Sequence, residues 1–311
     1  MTDHLIETLE DGVATLTMNR PEARNALSGE MNAALQEAVQ RLAHDPKARV
    51  VVLTGAGGAF CAGGDVKGFA ADTGRGAGVG SNSGPSLEQR VAGLRRGMEM
   101  VKWLREMPKP TLAVIPGAAA GAGLSLALAC DLRIAAEGAK LTTAFSKVGL
   151  AGDYGGSYFL THLVGAAKAR ELYFSADVIT GVEALRLGIV NKAVPAAELE
   201  QTAKDYARYL AGLPTVAVGY MKRNLNVAEH ATLSEVLDLE AMNMVRTMFM
   251  ASRSRTTKQR PRRSSRSARP RSWGAEPCAS SASSPPSSPA RCCWSGSCGS
   301  CKGSTSCRAA S

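Results

Sequence analysis

Residues 116–157 read PGAAAGAGLSLALACDLRIAAEGAKLTTAFSKVGLAGDYGGS. A β-branched run, TLAVI (111–115), stands between prolines just ahead of a glycine/alanine turn, and the turn opens into a short stretch of Leu and Ala. Small residues let a backbone approach a ligand or another chain segment, and a helix that starts in such a turn directs unpaired N–H groups outward. A second segment is built the same way: RVVVLT (49–54), short and β-branched like a buried strand, leads into TGAGGAFCAGGDV (54–66). Peptide N–H groups converging on one oxygen from two such turns form an oxyanion hole, which is worth several kcal/mol when charge develops there. Either cluster alone serves equally well for a tight turn or close helix packing.

Outward from these turns the pattern is mixed α/β. Residues 13–19 (VATLTMN) alternate apolar and polar side chains as a half-buried strand does. After the polar RPEARNALS, Leu27, Met31, Leu35, Val39 and Leu42 recur at helical spacing and predict an amphipathic helix over 28–43. Residues 71–86 (ADTGRGAGVGSNSGPS) have little that can pack and read as a loop, followed by a helix over about 87–105. DLRIAA (131–136) reads as a further strand, and helical stretches continue to residue 250. The order predicts an α/β spiral core over 1–195 and a helical C-terminal subdomain over 196–250.

Charge and cysteine separate a third segment. Residues 251–311 hold 12 of the 37 Lys and Arg and one acid, Glu276, which leaves the first 250 residues with 25 basic and 26 acidic side chains. The formal charge of +10 is therefore a property of the tail, and nucleic-acid or membrane binding by the body is not indicated. The tail lacks Leu, Ile, Val, Phe, Met and Tyr, so it is expected to be disordered. Its abrupt Arg/Ser/Pro/Cys vocabulary is that of GC-rich codons read out of frame; an arginine-rich nucleic-acid-binding arm is the alternative from a different functional class. Cys278, Cys292, Cys293, Cys298, Cys301 and Cys307 lie there without histidines nearby, which argues against zinc. Cys61 and Cys130 read as free packing thiols. The N-terminus has no apolar run of signal-peptide length, and a cytoplasmic location is expected.

Taken together, NRPEARNALS, AFCAGGDV, the stretch from PGAAAGAG to DYGGS, and GIVNKAVP resemble the enoyl-CoA hydratase/isomerase (crotonase) superfamily over residues 5 to about 250. The resemblance implies a crotonase-like ββα spiral, an acyl-CoA substrate, a homotrimer or dimer of trimers, and no cofactor beyond the coenzyme A moiety. It implies that the peptide N–H groups of Ala62 and Ala122 hold the thioester oxygen, helped by the dipole of the helix opening at Ala122. It also implies that Ala23, Arg24, Ala62, Gly63, Gly64, Asp65, Val66 and Gly121 surround the substrate and its CoA arm, Arg24 facing phosphate and Asp65 shaping its loop. Lys222 and Arg223 are two further cations with phosphate in reach, although a solvated face suits them better.

The acid/base group decides the reaction. Hydratases of the family carry two glutamates where this sequence has Ser125 and Phe145, neither of which deprotonates water. Ser125 reads as a packing residue bonded back to its own turn. Asp153 resembles the single acid of isomerase-like members, where one carboxylate moves a proton between two carbons; without the resemblance it would read as a helix N-cap. Double-bond isomerisation of an enoyl-CoA is the expected reaction, with 2-enoyl-CoA hydration as the alternative. Thioester hydrolysis, decarboxylation and dehalogenation are further chemistries of the scaffold.

Overall fold

The computed structural model describes residues 2–64 and 85–257, with side chains to residue 250. Asp65, Val66, most of the expected 71–86 loop, and the tail beyond residue 257 with its cysteines lie outside the described residues.

The sheet begins earlier than the alternating pattern suggested. Strands β1 (Leu5–Glu10) and β2 (Val13–Met18) form an antiparallel hairpin in which Glu10 pairs with Val13. The two-residue turn has Asp11 at φ 51° and Gly12 at φ 83°, the left-handed pair that matches strand twist and favours Asp-Gly. From β2 the pairing becomes parallel, through β3 (Val50–Gly55), β4 (Thr111–Ile115), β6 (Leu132–Ala136) and β9 (Lys192–Val194), giving a six-stranded sheet in the order β1-β2-β3-β4-β6-β9. All of β4 and Val50–Leu53 of β3 are buried, as strands covered on both faces must be. A small second sheet, β5-β7-β8, comprises Ala119–Ala120, Lys140–Thr142 and Ile179–Thr180.

Helix α1 (Gly29–His44) is capped by Ser28, whose hydroxyl accepts from Met31 N at 3.1 Å, and it buries the expected Met31, Leu35, Val39 and Leu42. The single helix expected over 87–105 is instead two, α2 (Leu87–Gly97) and α3 (Glu99–Glu106). They break at Met98 (φ −76°, ψ −10°), directly after glycine, the weakest helix former apart from proline. Helix α4 (Ala122–Ala129) is buried on every side. Helix α5 (Gly156–Ser175) kinks at Gly165, and α6 (Gly181–Arg186) starts with a capping box from Thr180 and Glu183. Helix α7 (Ala196–Gly212) lies against β2, β3, β4 and β6. Helices α8 (Thr215–Ala228) and α9 (Leu233–Thr257) pack on each other. Helix α9 continues past the expected boundary at residue 250, because Ala251–Thr257 contains neither proline nor glycine and its residues cost a helix only a few tenths of a kcal/mol each.

Three buried cations tie helix ends to the sheet. Lys109 donates to the carbonyls of Leu42, Asp45 and Ala48 past the C-terminus of α1. Arg133 donates to Cys130 O at 2.6 Å and Ile189 O at 2.6 Å, closing the C-terminus of α4. Lys222, expected on a solvated face, is 6% exposed. Its ammonium meets Asp131 Oδ2 at 2.8 Å and the carbonyls of Leu104 and Lys109, so it has no reach to a phosphate. Asp131 is held in turn by the Thr111 N–H and hydroxyl at 2.8 and 3.0 Å. Removing one partner of such a pair leaves the other charge uncompensated. Lys222→Met is expected to cost about 3 kcal/mol in urea unfolding; a loss under about 1 kcal/mol would mean that α8 is held by packing and not by this contact.

Candidate active site

The two glycine-rich turns lie side by side. Phe60 N and Cys61 N both donate to Ala118 O (2.9 and 3.1 Å), and Ala120 N returns a bond to Cys61 O at 2.9 Å. The approach is too close for side chains: a methyl group at Gly123 would stand 2.3 Å from Cys61 O. Gly63, at φ 99°, adopts a backbone that L side chains avoid, and a methyl there would meet Ala120 O at 2.9 Å and Ala122 N at 3.6 Å. The helix start at Ala122 and the turn at Gly63–Gly64 are thereby brought together.

Within this arrangement one expected donor is not available. The Ala62 N–H donates to Arg24 O at 2.9 Å, so it cannot also serve an external oxygen. The N–H groups of Ala122 and Gly64 meet no acceptor among the described residues. Ala122 is the first residue of α4, where an N–H has no intrahelical partner, and Gly121 ahead of it (φ 53°) has its own N–H on Thr142 O. Gly64 lies one residue beyond the bond from Leu27 N to Gly63 O and is exposed. That the Ala62 N–H is engaged and the Gly64 N–H is not, on either side of Gly63 at φ 99°, is invisible in a run of small residues.

Ala23 and Arg24 end the 3-10 turn Pro21–Ala23, with Arg24 left-handed (φ 49°) and exposed. The turn is fixed by Asn25, which is fully buried: its side chain accepts from Arg20 N and donates to Ala56 O and Ala59 O, each at 2.8–2.9 Å. Asn25 was not singled out in the sequence, although it is the residue that locks the Arg24 turn to the first glycine-rich turn. Cys61 and Cys130 are buried, and burial pushes both thiols up to about 12, so neither is a nucleophile at neutral pH.

A cleft of about 640 Å³ opens beside Gly64 and is lined by Leu27, Asn32, Arg90, Leu94, Asp153 and Tyr154, among others; Asp153 is its one acid among the described residues. Asp153 sits on a turn that is strongly determined. Tyr154, at φ 48°, is a non-glycine residue in the left-handed region, held there by burial and by its hydroxyl bond to Asn32 Oδ1 at 2.9 Å. The Asp153 side chain caps nothing: α5 starts from Gly155 with no side-chain cap, and Asp153 Oδ1 is buried without a hydrogen-bond partner. Desolvation raises its pKa from 3.8 to about 6. Ser125 donates back to Gly121 O at 3.2 Å, and Phe145 stacks on Tyr173, so the two positions that would carry a hydratase's glutamates are occupied by packing.

The family model described as enoyl-CoA hydratase/isomerase matches residues 8–260. A 1,2-epoxyphenylacetyl-CoA isomerase from Escherichia coli K12 is 38% identical over 240 residues, covering 77% of this chain and 88% of the relative. A probable enoyl-CoA hydratase from Rhodobacter capsulatus is 37% identical over 243 residues, 78% of this chain and 88% of the relative. Among solved structures, an enoyl-CoA hydratase from Polaromonas sp. JS666 superposes with a TM-score of 0.71 at 35% identity, covering 78% of this chain and 91% of that one.

Two outcomes follow from the geometry. Gly123→Ala drives a methyl into the Cys61 carbonyl and is expected to cost about 3 kcal/mol or to prevent folding, whereas Gly64→Ala, with open space at its Cβ, is expected to change stability by under about 1 kcal/mol. Equal effects in thermal unfolding would contradict the close approach of the two turns. For Asp153 the folded pKa lies above the ordinary value, so folded protein binds the proton more tightly than unfolded chain. Its contribution is neutral at low pH, becomes unfavourable as pH rises from about 4 to about 6, and stays so above. Asp153→Asn should therefore stabilise the fold by about 2 kcal/mol near pH 8, and by little near pH 4, in parallel melts.

Proposed function

This chain belongs to the enoyl-CoA hydratase/isomerase (crotonase) family, and from that premise we propose that it is an isomerase acting on an unsaturated acyl-CoA thioester, with Asp153 as the group that moves the proton. The observation that carries the reading is the state of Asp153: the acid of the cleft, partly desolvated, with a buried oxygen left unpaired.

The thioester carbonyl oxygen sits between the N–H groups of Ala122 and Gly64. Gly64 takes the place expected of Ala62, whose N–H is engaged elsewhere. Both donors are fixed by backbone, so they need no reorganisation when negative charge gathers on the oxygen, and the N-terminal end of α4 adds its dipole. The carboxylate of Asp153 takes a proton from the α carbon of a 3-enoyl group. The electron pair moves toward the carbonyl, giving the dienolate, and the carboxylic acid returns the proton at the γ carbon. One carboxylate completes this cycle, whereas adding water across the double bond needs the water activated and a proton delivered to the other carbon. The substrate class and the proposal that Ala23, Arg24, Ala62, Gly63, Gly64, Asp65, Val66 and Gly121 border the CoA arm rest on the family. A 3-enoyl-CoA and a ring-bearing acyl-CoA of the kind named for the Escherichia coli relative both suit the scheme. Self-association as a trimer is part of the same proposal, and α9 offers the apolar surface for it through Leu233, Leu237, Met244 and Met248.

Hydration is the second reading, favoured by the names of the Rhodobacter and Polaromonas relatives. The two separate in one assay set: conversion of a 3-enoyl-CoA to its 2-enoyl isomer and hydration of a 2-enoyl-CoA, each with wild type and Asp153→Asn. Isomerisation is expected to fall by about 10²- to 10⁴-fold in the variant, with little hydration in either protein. Because the ionised carboxylate is the base, wild-type kcat/KM should rise with pH through about 6. Strong hydration that survives the substitution would remove both the isomerase reading and the role of Asp153.

A further inference from the structure

Two buried polar atoms near the cleft lack a hydrogen-bond partner among the described residues, Asp153 Oδ1 and the Tyr173 hydroxyl. They belong to one neighbourhood. Tyr173, near the C-terminal end of α5, lies across the turn that carries Asp153: a methyl group at Gly152 would stand 3.1 Å from Tyr173 Cε1, and one at Gly156 would stand 2.6 Å from the Tyr173 hydroxyl. The ring flanks Asp153 on both sides in sequence, and it is fixed by stacking on Phe145, with centroids 6.0 Å apart and planes 15° from parallel.

Two other hydroxyls near this turn are already used. Tyr154 donates to Asn32 Oδ1 at 2.9 Å, and Ser125 to Gly121 O at 3.2 Å. The buried Tyr173 hydroxyl, by contrast, meets no partner among the described residues. Burial, and after it the Asp153 charge, push the Tyr173 pKa up to about 12, so the phenol keeps its proton wherever Asp153 is ionised. A buried donor and a buried acceptor left unpaired around one turn are each costly, and a hydroxyl hydrogen rotates to suit an acceptor.

We propose that Tyr173 is a positioning residue for Asp153: its hydroxyl turns to donate to Asp153 Oδ1 when the carboxylate is ionised, orienting it and favouring its ionised form. The inference rests on the reading of Asp153 as proton carrier, but the contact itself can be measured without turnover. Tyr173→Phe retains the ring and its stacking on Phe145, so the fold is kept while the donor is lost.

The test is a double-mutant cycle of Tyr173→Phe and Asp153→Asn, read by melting temperature across pH, together with the pH profile of kcat and KM for the proteins that turn over. A bond to the carboxylate form makes Tyr173→Phe more destabilising near pH 8 than near pH 4 when Asp153 is present, and equally destabilising at both when it is Asn. In turnover, the acidic limb of the profile is expected to move up by about one pH unit in Tyr173→Phe, with kcat lowered about tenfold near pH 6 and KM little changed. A pH-independent effect of Tyr173→Phe, with an unmoved acidic limb, would overturn the proposal and leave the tyrosine as packing. If the stability cycle shows coupling while Asp153→Asn still isomerises, the contact stands and the catalytic reading of Asp153 fails instead.

Discussion

The close passage of two backbones, Cys61 against Gly123, is the constraint on which the site depends. A peptide carbonyl and an α carbon lie so near that no residue larger than glycine fits between them. That approach is held by the bonds from Cys61 N to Ala118 O and from Ala120 N to Cys61 O, which continue the pairing of β3 and β4 beyond the ends of the strands. The parallel sheet therefore does more than form a core: its register sets which N–H groups are consumed and which point away. The Ala62 N–H is taken by Arg24 O, while those of Gly64 and Ala122 meet no acceptor among the described residues. Oxyanion stabilisation depends on donors that are fixed before charge appears, and here the fixing is done by main chain alone.

Electrostatics supports the same arrangement from behind. Helix α4 starts beside the Gly63–Gly64 turn, and the guanidinium of Arg133 occupies its C-terminus, taking the carbonyl of Cys130. Lys109 treats the end of α1 in the same way, and Lys222 with Asp131 joins α8 to the sheet. These cations lie inside the fold and satisfy carbonyls that burial would otherwise leave unpaired. The nearly neutral body expected from the charge count is thus one in which several positive groups perform internal work, and surface attraction for a polyanion is not what they provide.

Much of this was legible in the residues. The α1 stripe, the buried β3 and β4 runs and the two glycine-rich turns carry strong periodic or compositional signals, and the structure places them as expected. The hairpin opening the sheet was missed although Asp11-Gly12 is a good turn signal, because LIETLE carries two exposed charges on an edge strand and so lacks a clear apolar alternation. The break at Met98 was hidden by a helical pattern continuous on both sides. Lys222 was misplaced because a lysine on a helix says nothing of the carboxylate from β6's entrance that neutralises it. The choice between Ala62 and Gly64 could not be made from sequence, since peptide donors leave no side-chain signature and the positive φ of Gly63 between them is a matter of structure. Asp153 could be named, but whether it capped α5 or faced the cleft was a question of rotamer and turn geometry.

The central claim, that the N–H groups of Ala122 and Gly64 hold the thioester oxygen, is tested most directly by isotope-edited infrared difference spectroscopy of a bound acyl-CoA labelled with ¹³C at the thioester carbonyl. Two fixed donors should move the carbonyl stretch to lower frequency than in free solution, and Gly64→Pro, which removes one N–H, should return it part of the way. A bound carbonyl at its solution frequency, or a shift that Gly64→Pro leaves unchanged, would contradict the account.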